Sequence, residues 1–136
     1  MALTYSQVQA IKGGTIVGSN LAASTAVPGT EATNTFGSSS NLWGSSWTYS
    51  DINASTFGVA IYFQASVNAS DRLKVTNFGF SIPSDETIVG IAFSVVVKST
   101  GVGTASAVIS VNYVSCTITT STGLTITSNG AFFQFL

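Results

Sequence analysis

Side chains able to carry out chemistry are scarce in this chain of 136 residues, which has five acidic residues, four basic residues and no histidine. Without histidine, the chain can form neither a Ser-His-Asp triad nor a Cys-His pair, and it has no imidazole to bind a metal. Asp85 and Glu86 are adjacent, but a glycosidase needs two carboxylates that face one bond, and neighbours on an extended chain point to opposite sides. We therefore predict that the protein is not an enzyme, with no catalytic residue, no cofactor and no metal.

Cys116 and the basic residues exclude further classes. Cys116 alternates with Val114 and Ile118, so we expect it to be a small buried hydrophobe, and a single cysteine cannot form an intrachain disulfide. A net charge of -1 leaves too few cations to neutralise many phosphates, which argues against nucleic acid as a partner. The sequence has neither a membrane-spanning apolar run nor a basic secretion signal, so we expect a protein that is made in the cytoplasm and does not bind membranes.

Three aromatic residues are the best candidates for a sugar-binding or receptor-binding surface. Trp43, Trp47 and Tyr49 lie close together in sequence, and aromatic faces stack on sugar rings or insert into protein pockets. The alternative is that the two tryptophans plug the open end of a β-sandwich. We favour the plug, and both interpretations stay open at this point.

A period-two alternation of apolar and polar residues dominates the elements that would position these side chains. The clearest runs are 59–67, 91–98 and 109–113, and turn signals recur about every dozen residues, as in sandwiches and barrels. The phase flips between Tyr113 and Val114, which predicts a β-bulge or a strand that crosses between sheets. The sequence thus predicts an all-β protein, an antiparallel and jelly-roll-like β-sandwich, with residues 11–130 as a single domain.

One helical turn and the two chain ends depart from this pattern. Thr48 to Asn53 predicts a helical turn capped by Thr48, in which Asp51 accepts hydrogen bonds from backbone donors. Residues 1–10 are polar and weakly patterned, so we expect an N-terminal arm. Residues 131–136 are almost entirely apolar, which predicts either a last core strand or a tail that contacts another subunit.

Two blocks of sequence resemble a domain of phage virion and tail structural proteins. One contains Leu42-Trp43-Gly44, Trp47, Asp51-Ile52-Asn53 and Phe57-Gly58-Val59, and the other runs from Asn77-Phe78-Gly79-Phe80-Ser81-Ile82-Pro83 to Lys98. Residues 8–20 resemble the strand that joins the two blocks, so the resemblance covers most of 8–118. The block with Phe78 usually comes first, so this chain resembles a circular permutation of the domain. The resemblance implies a structural role on a virion, tail appendage or surface fibre, and no catalytic residues.

Low charge and an apolar end together favour a repeated building block of a particle, because assembly buries strand edges that a monomer protects with charge. The leading hypothesis is a capsid decoration (cement) protein on the outer surface of a phage virion, a homotrimer that binds the major capsid protein or another virion protein. The expected assembly contacts are the apolar residues near the two ends: Leu3, Tyr5, Val8, Phe132, Phe133, Phe135 and Leu136. The alternatives are a carbohydrate-binding or receptor-binding module of a tail fibre that uses Trp43, Trp47 and Tyr49, and a head-to-tail filament subunit.

Overall fold

Two antiparallel sheets packed against each other form the protein. The computed structural model describes residues 4–22, 26–27, 29–66, 69–100 and 108–135. Within these residues the elements are β1 (Thr4–Lys12), β2 (Thr15–Val17), β3 (Ala32–Ser38), α1 (Tyr49–Asn53), β4 (Gly58–Ser66), β5 (Ala69–Thr76), β6 (Ile88–Thr100), β7 (Val108–Thr120), β8 (Thr125–Asn129) and β9 (Phe132–Phe135). The predicted all-β sandwich is confirmed.

The five-stranded sheet, here called sheet A, has the order β2-β1-β4-β5-β9, and the four-stranded sheet B has the order β3-β6-β7-β8. All strand pairs are antiparallel, and four of them join strands that are consecutive in sequence. Apolar residues on alternate positions of β1, β4 and β5 face those of β6 and β7, because a strand turns successive side chains to opposite faces. The core therefore lies between the two sheets.

The N-terminal segment is part of sheet A. Residues 4–10 belong to β1, which pairs with β4 on one side and β2 on the other, so the expected arm is wrong for these residues. The register shifts between Tyr5 and Gln7, so a bulge interrupts the alternation of buried residues that would have identified the strand. Leu3 lies outside the described residues.

Two further local features refine the sequence-based prediction. Gly13 and Gly14 have positive φ angles of 60° and 83° and form the two-residue turn between β1 and β2, rather than a break within one strand. In β7, Val96 pairs with Tyr113 and Val97 with Val111, which leaves Asn112 as an extra residue. The predicted β-bulge is confirmed at this position.

Aromatic side chains fill the centre of the core. The ring of Phe57 lies 5.6 Å from that of Trp47 and 5.8 Å from that of Phe93, measured between centroids. Phe78 and Phe80 also contact Phe57, and both are buried, although they lie in an irregular segment after β5. Asn77 and Gly79 have positive φ angles in this segment, so its turns rather than a strand point both rings inwards.

Removal of one central ring tests this core. We expect Phe93→Ala to lower the free energy of unfolding by about 3–5 kcal/mol, because Phe93 is fully buried and its loss leaves a cavity. Chemical denaturation measures the change. Tyr113→Ala is the control, since Tyr113 is 42% exposed and we expect its loss to cost less than about 1 kcal/mol. Equal losses for the two variants would contradict the central position of Phe93.

Two buried groups make stability depend on pH. Burial raises the pKa of the Cys116 thiol, and it also raises the pKa of the Tyr5 hydroxyl, which donates a hydrogen bond of 2.9 Å to Asn34 Oδ1. In both cases the neutral form is favoured in the folded state. The unfolded chain therefore loses these protons at a lower pH than the folded chain does, and high pH favours unfolding.

We expect stability to be constant with respect to these two groups below about pH 8.5, where the unfolded thiol is still protonated. Above that pH the free energy of unfolding falls by about 1.4 kcal/mol per pH unit, and Tyr5 adds a similar slope above about pH 10. Denaturation curves between pH 7 and 11 measure both slopes. Cys116→Ala should remove the first slope, and a wild-type profile that is flat up to pH 10 would contradict the prediction.

Candidate assembly site

Trp43 lies inside the sandwich. Its side chain is fully buried, and its indole N–H donates a hydrogen bond of 2.8 Å to the Ile91 carbonyl. A Cβ atom on Gly37 would overlap both the Ile91 carbonyl oxygen and the Trp43 ring, so glycine permits this approach. Trp43 itself has a positive φ of 60°, which turns the chain at the point where the ring enters the core.

Trp47 is also unsuited to stacking on a sugar. It is 7% exposed, its indole N–H donates to the Leu42 carbonyl at 2.9 Å, and the ammonium group of Lys12 lies 5.7 Å from its ring. Of the two interpretations left open, the structure therefore favours the plug over the sugar surface for Trp43 and Trp47, because both rings are buried and both N–H groups are already bonded. Tyr49 is 38% exposed, and one exposed ring gives no paired platform.

Helix α1 follows the tryptophans and is capped as predicted. The Thr48 hydroxyl accepts from the Asp51 backbone N–H, and the Asp51 carboxylate accepts from the Thr48 backbone N–H at 2.9 Å. Lys12 Nζ lies 3.7 Å from the same carboxylate. These contacts account for Asp51 by local structure, so it is not a candidate for catalysis.

Asn53 makes a structural link that the sequence analysis missed. Its amide nitrogen donates to the Ile82 carbonyl at 3.0 Å, and its amide oxygen accepts from the Ile82 N–H at 2.7 Å. Both hydrogen bonds join the tryptophan block to the irregular segment that carries Phe78 and Phe80. No local pattern reveals such a contact, because its two partners are distant in sequence and one of them is backbone.

The remaining acidic groups form no reactive cluster. Both carboxylate oxygens of Glu86 accept from the Thr122 hydroxyl, at 2.9 and 2.7 Å, and Asp85 is exposed in the adjoining turn. Among the residues with described structure, no group of three or more His, Cys, Asp or Glu side chains is placed to hold a metal ion. The same part of the chain contains no helix long and apolar enough to cross a membrane.

A shallow cleft of about 330 Å³ lies at one end of sheet B and is lined by Glu31, Lys98, Ser110, Val111 and Asn112. The Asn112 amide donates to the Glu31 carboxylate at 2.9 Å, beside the bulge in β7. The lining has neither a pair of carboxylates nor an aromatic face. The cleft therefore supports neither glycoside hydrolysis nor stacking on a sugar.

The outer face of sheet B is rich in small hydroxyl side chains. The Thr35 and Ser94 hydroxyls lie 3.0 Å apart, and those of Thr117 and Thr127 lie 2.8 Å apart, each pair joining neighbouring strands. The register places the following residues on this face: Thr33, Thr35, Ala92, Ser94, Ser115, Thr117, Thr119, Thr125, Thr127 and Asn129. These ten positions form an uncharged patch across all four strands, and Val96, Tyr113 and Lys98 lie on the same face outside this patch.

Strand β9 forms one edge of sheet A and exposes apolar side chains. Phe132 is 51% exposed and Phe133 is 36% exposed, and the strand contains no charged residue and no proline. Natural edge strands are usually protected by such residues. The apolar end predicted from the sequence is thus a last strand whose side chains lie at an open edge.

The predicted assembly contacts divide into three groups. Tyr5 and Val8 are fully buried on the inner face of β1, so they are corrected to core residues. Phe132 and Phe133 are exposed at the edge, and Phe135 continues the same strand. Leu3 and Leu136 lie outside the described residues, as does the side chain of Phe135.

Comparison with known proteins identifies no relative: no protein-family model, no curated protein and no solved structure matches the chain. The function must therefore be argued from the surfaces of this fold. The candidates that combine exposure with unusual composition are the β9 edge and the uncharged patch on the outer face of sheet B.

Both tryptophans should be shielded from small molecules in solution. We expect their fluorescence emission to be blue-shifted, to resist quenching by acrylamide in the folded state, and to remain unchanged when oligosaccharides are added. Their burial and internal hydrogen bonds are the reason. The unfolded protein is the control, because quenching should rise there. A sugar-dependent change in emission would contradict the assignment of Trp43 and Trp47 to the core.

Proposed function

We propose that the protein is a non-enzymatic structural subunit of a virion, a decoration protein that binds the outside of an assembled phage capsid and stabilises it. The observation that carries the proposal is the open β9 edge, where Phe132 and Phe133 are exposed without a protecting charge. Only 7% of the residues are charged, so the chain has few charged side chains that could protect this edge in water. Assembly removes the edge from water.

The outer face of sheet B is the surface that we assign to the shell. Eight of the ten side chains in its uncharged patch are short hydroxyls, so a contact confined to that patch buries no unpaired ion and restricts few rotamers. Threonine hydroxyls can both donate and accept hydrogen bonds, which suits a contact with polar groups of another protein. The resemblance to phage structural domains supports a virion as the setting.

Stabilisation would follow from mass action. A protein that binds the assembled shell and not its separated subunits shifts the equilibrium towards the shell by an amount that grows with its free concentration. The proposal needs no catalytic residue. The homotrimer expected from the sequence stays a prediction that competes with a two-fold dimer, and the mass of the free protein distinguishes the two.

Shells with and without the protein test the proposal directly. We expect shells that lack it to lose their contents at a lower temperature and after milder osmotic shock, and added protein to restore resistance. The double variant T35K/T127K should fail to bind and to restore it, because both positions are in the uncharged patch on the outer face of sheet B. Gln64→Lys, on the exposed outer side of sheet A, is the matched control. Shells that are equally resistant with and without the protein would overturn the proposal.

A further inference from the structure

The outward direction of the β9 backbone can be derived from the opposite edge of sheet A. The Val8 N–H donates to Asn20 Oδ1 at 2.9 Å, and the Val8 carbonyl accepts from the Leu21 N–H at 3.0 Å. Both backbone groups of Val8 therefore point away from β4. In an antiparallel ladder the direction alternates from residue to residue, so Gln9 is hydrogen-bonded to Ala60 of β4.

The same alternation of backbone directions continues from β4 to β5 and from β5 to β9. Val59 points towards β5 and is hydrogen-bonded to Val75, which agrees with the overlap that a Cβ on Gly58 would have with the Val75 carbonyl oxygen. Lys74 and Thr76 then point towards β9 and are hydrogen-bonded to Gln134 and Phe132. It follows that the backbone groups of Phe133 and Phe135 point outwards, beyond the edge of sheet A.

We infer that this edge pairs with the same edge of a second copy, so that two five-stranded sheets join into one sheet across a two-fold axis. The inference rests on the proposed function, since it names the partner that covers the β9 edge. Phe133 of one copy lies opposite the partner's Phe135, and each pair exchanges two hydrogen bonds, which gives four in all. The axis passes between Gln134 and the partner's Gln134, which form the non-hydrogen-bonded pair.

The inner face of this join is apolar. Leu73 and Val75 are fully buried on the inner face of β5, and the register places Phe133 opposite Val75 on the same face. Pairing of the two edges extends that apolar row from one copy into the next. Phe133, which is 36% exposed in the single chain, gains a neighbouring strand on its open side.

Pairing of two β9 edges brings no like charges together on the outer face of the sheet, which favours a second copy as the partner. Its central row reads Lys74 and Gln134 in one copy, followed by the partner's Gln134 and the partner's Lys74. The two ammonium groups are three strand spacings apart, roughly 14 Å, which exceeds the Debye length of about 8 Å at physiological salt. Neutral amides face each other at the axis, so no like charges are opposed and the two amides can hydrogen-bond.

The first experiment places a charge at residue 134, which lies at the two-fold axis. We expect the wild-type protein to form dimers in sedimentation velocity, and Q134E and Q134K each to dissociate up to about fivefold more readily, because like charges then lie directly opposite. An equimolar mixture of Q134E and Q134K should form a heterodimer, because opposite charges meet at the axis. The control pair is Q64E and Q64K, on the same face of sheet A but away from β9; we expect both to dimerise as the wild type does.

The backbone is tested separately. Phe133→Pro removes the outward N–H, whereas Phe133→Leu keeps it together with an apolar side chain. We expect the proline variant to be monomeric with the circular dichroism spectrum of a folded protein, and the leucine variant to dimerise. A monomeric wild type, a trimer, or an E/K mixture that stays monomeric would overturn the two-fold pairing. Shell protection is measured independently, so loss of dimers with retained shell binding rejects this inference alone, and loss of shell binding with intact dimers rejects the proposed function alone.

Discussion

Close packing of aromatic rings between the two sheets is the interaction on which the rest of the structure depends. Phe57 and Phe93 lie 5.8 Å apart, and the rings around them come from segments that are not regular strands. Trp43 and Trp47 enter from the loop before α1, and Phe78 enters from the segment after β5. Since these segments lack ladder hydrogen bonds, burial of their rings and side-chain contacts such as that of Asn53 hold them in place.

The small number of charged residues determines the character of the surface. The charged groups of the described residues have local positions, such as Lys12 beside the capped helix and Glu86 on the Thr122 hydroxyl. This leaves the hydroxyl-rich patch on the outer face of sheet B and the β9 edge without charged residues. Such surfaces are poorly suited to an isolated protein and well suited to contacts with other subunits, which is why the proposed function concerns assembly rather than catalysis.

Much of the fold could be predicted from the sequence, because β4 and β6 carry long alternating runs and the helix has a strong N-terminal cap. The bulge in β7 was also visible as a change of phase. Strand β1 was missed because its own bulge breaks the alternation between Tyr5 and Val8, and β3 because Phe36 is the one buried residue among its seven. In both strands the neighbours in the sheet, rather than the local pattern, decide the structure.

The candidate site was less accessible to sequence reasoning. An exposed tryptophan and a buried one look alike in a sequence, and the direction of the Trp43 and Trp47 rings depends on carbonyl groups distant from them along the chain or within the same loop. The apolar end was recognised, and in the structure it is the last strand of sheet A with exposed side chains. Phe133 faces the core side of sheet A and is still exposed, because β9 has a neighbour on one side within the described residues.

The strand register also has a consequence for the speed of folding. Each sheet contains a strand pair whose two members are far apart in sequence: Thr4 pairs with Gln64, and Ala32 pairs with Val97. Pairing of this kind requires long loops to close before their contacts repay the lost entropy, so folds with such pairing form in milliseconds to seconds rather than microseconds. During that interval the central strands of both sheets have open edges. Chains that have not yet paired these strands are therefore prone to aggregate, and more so at higher concentration.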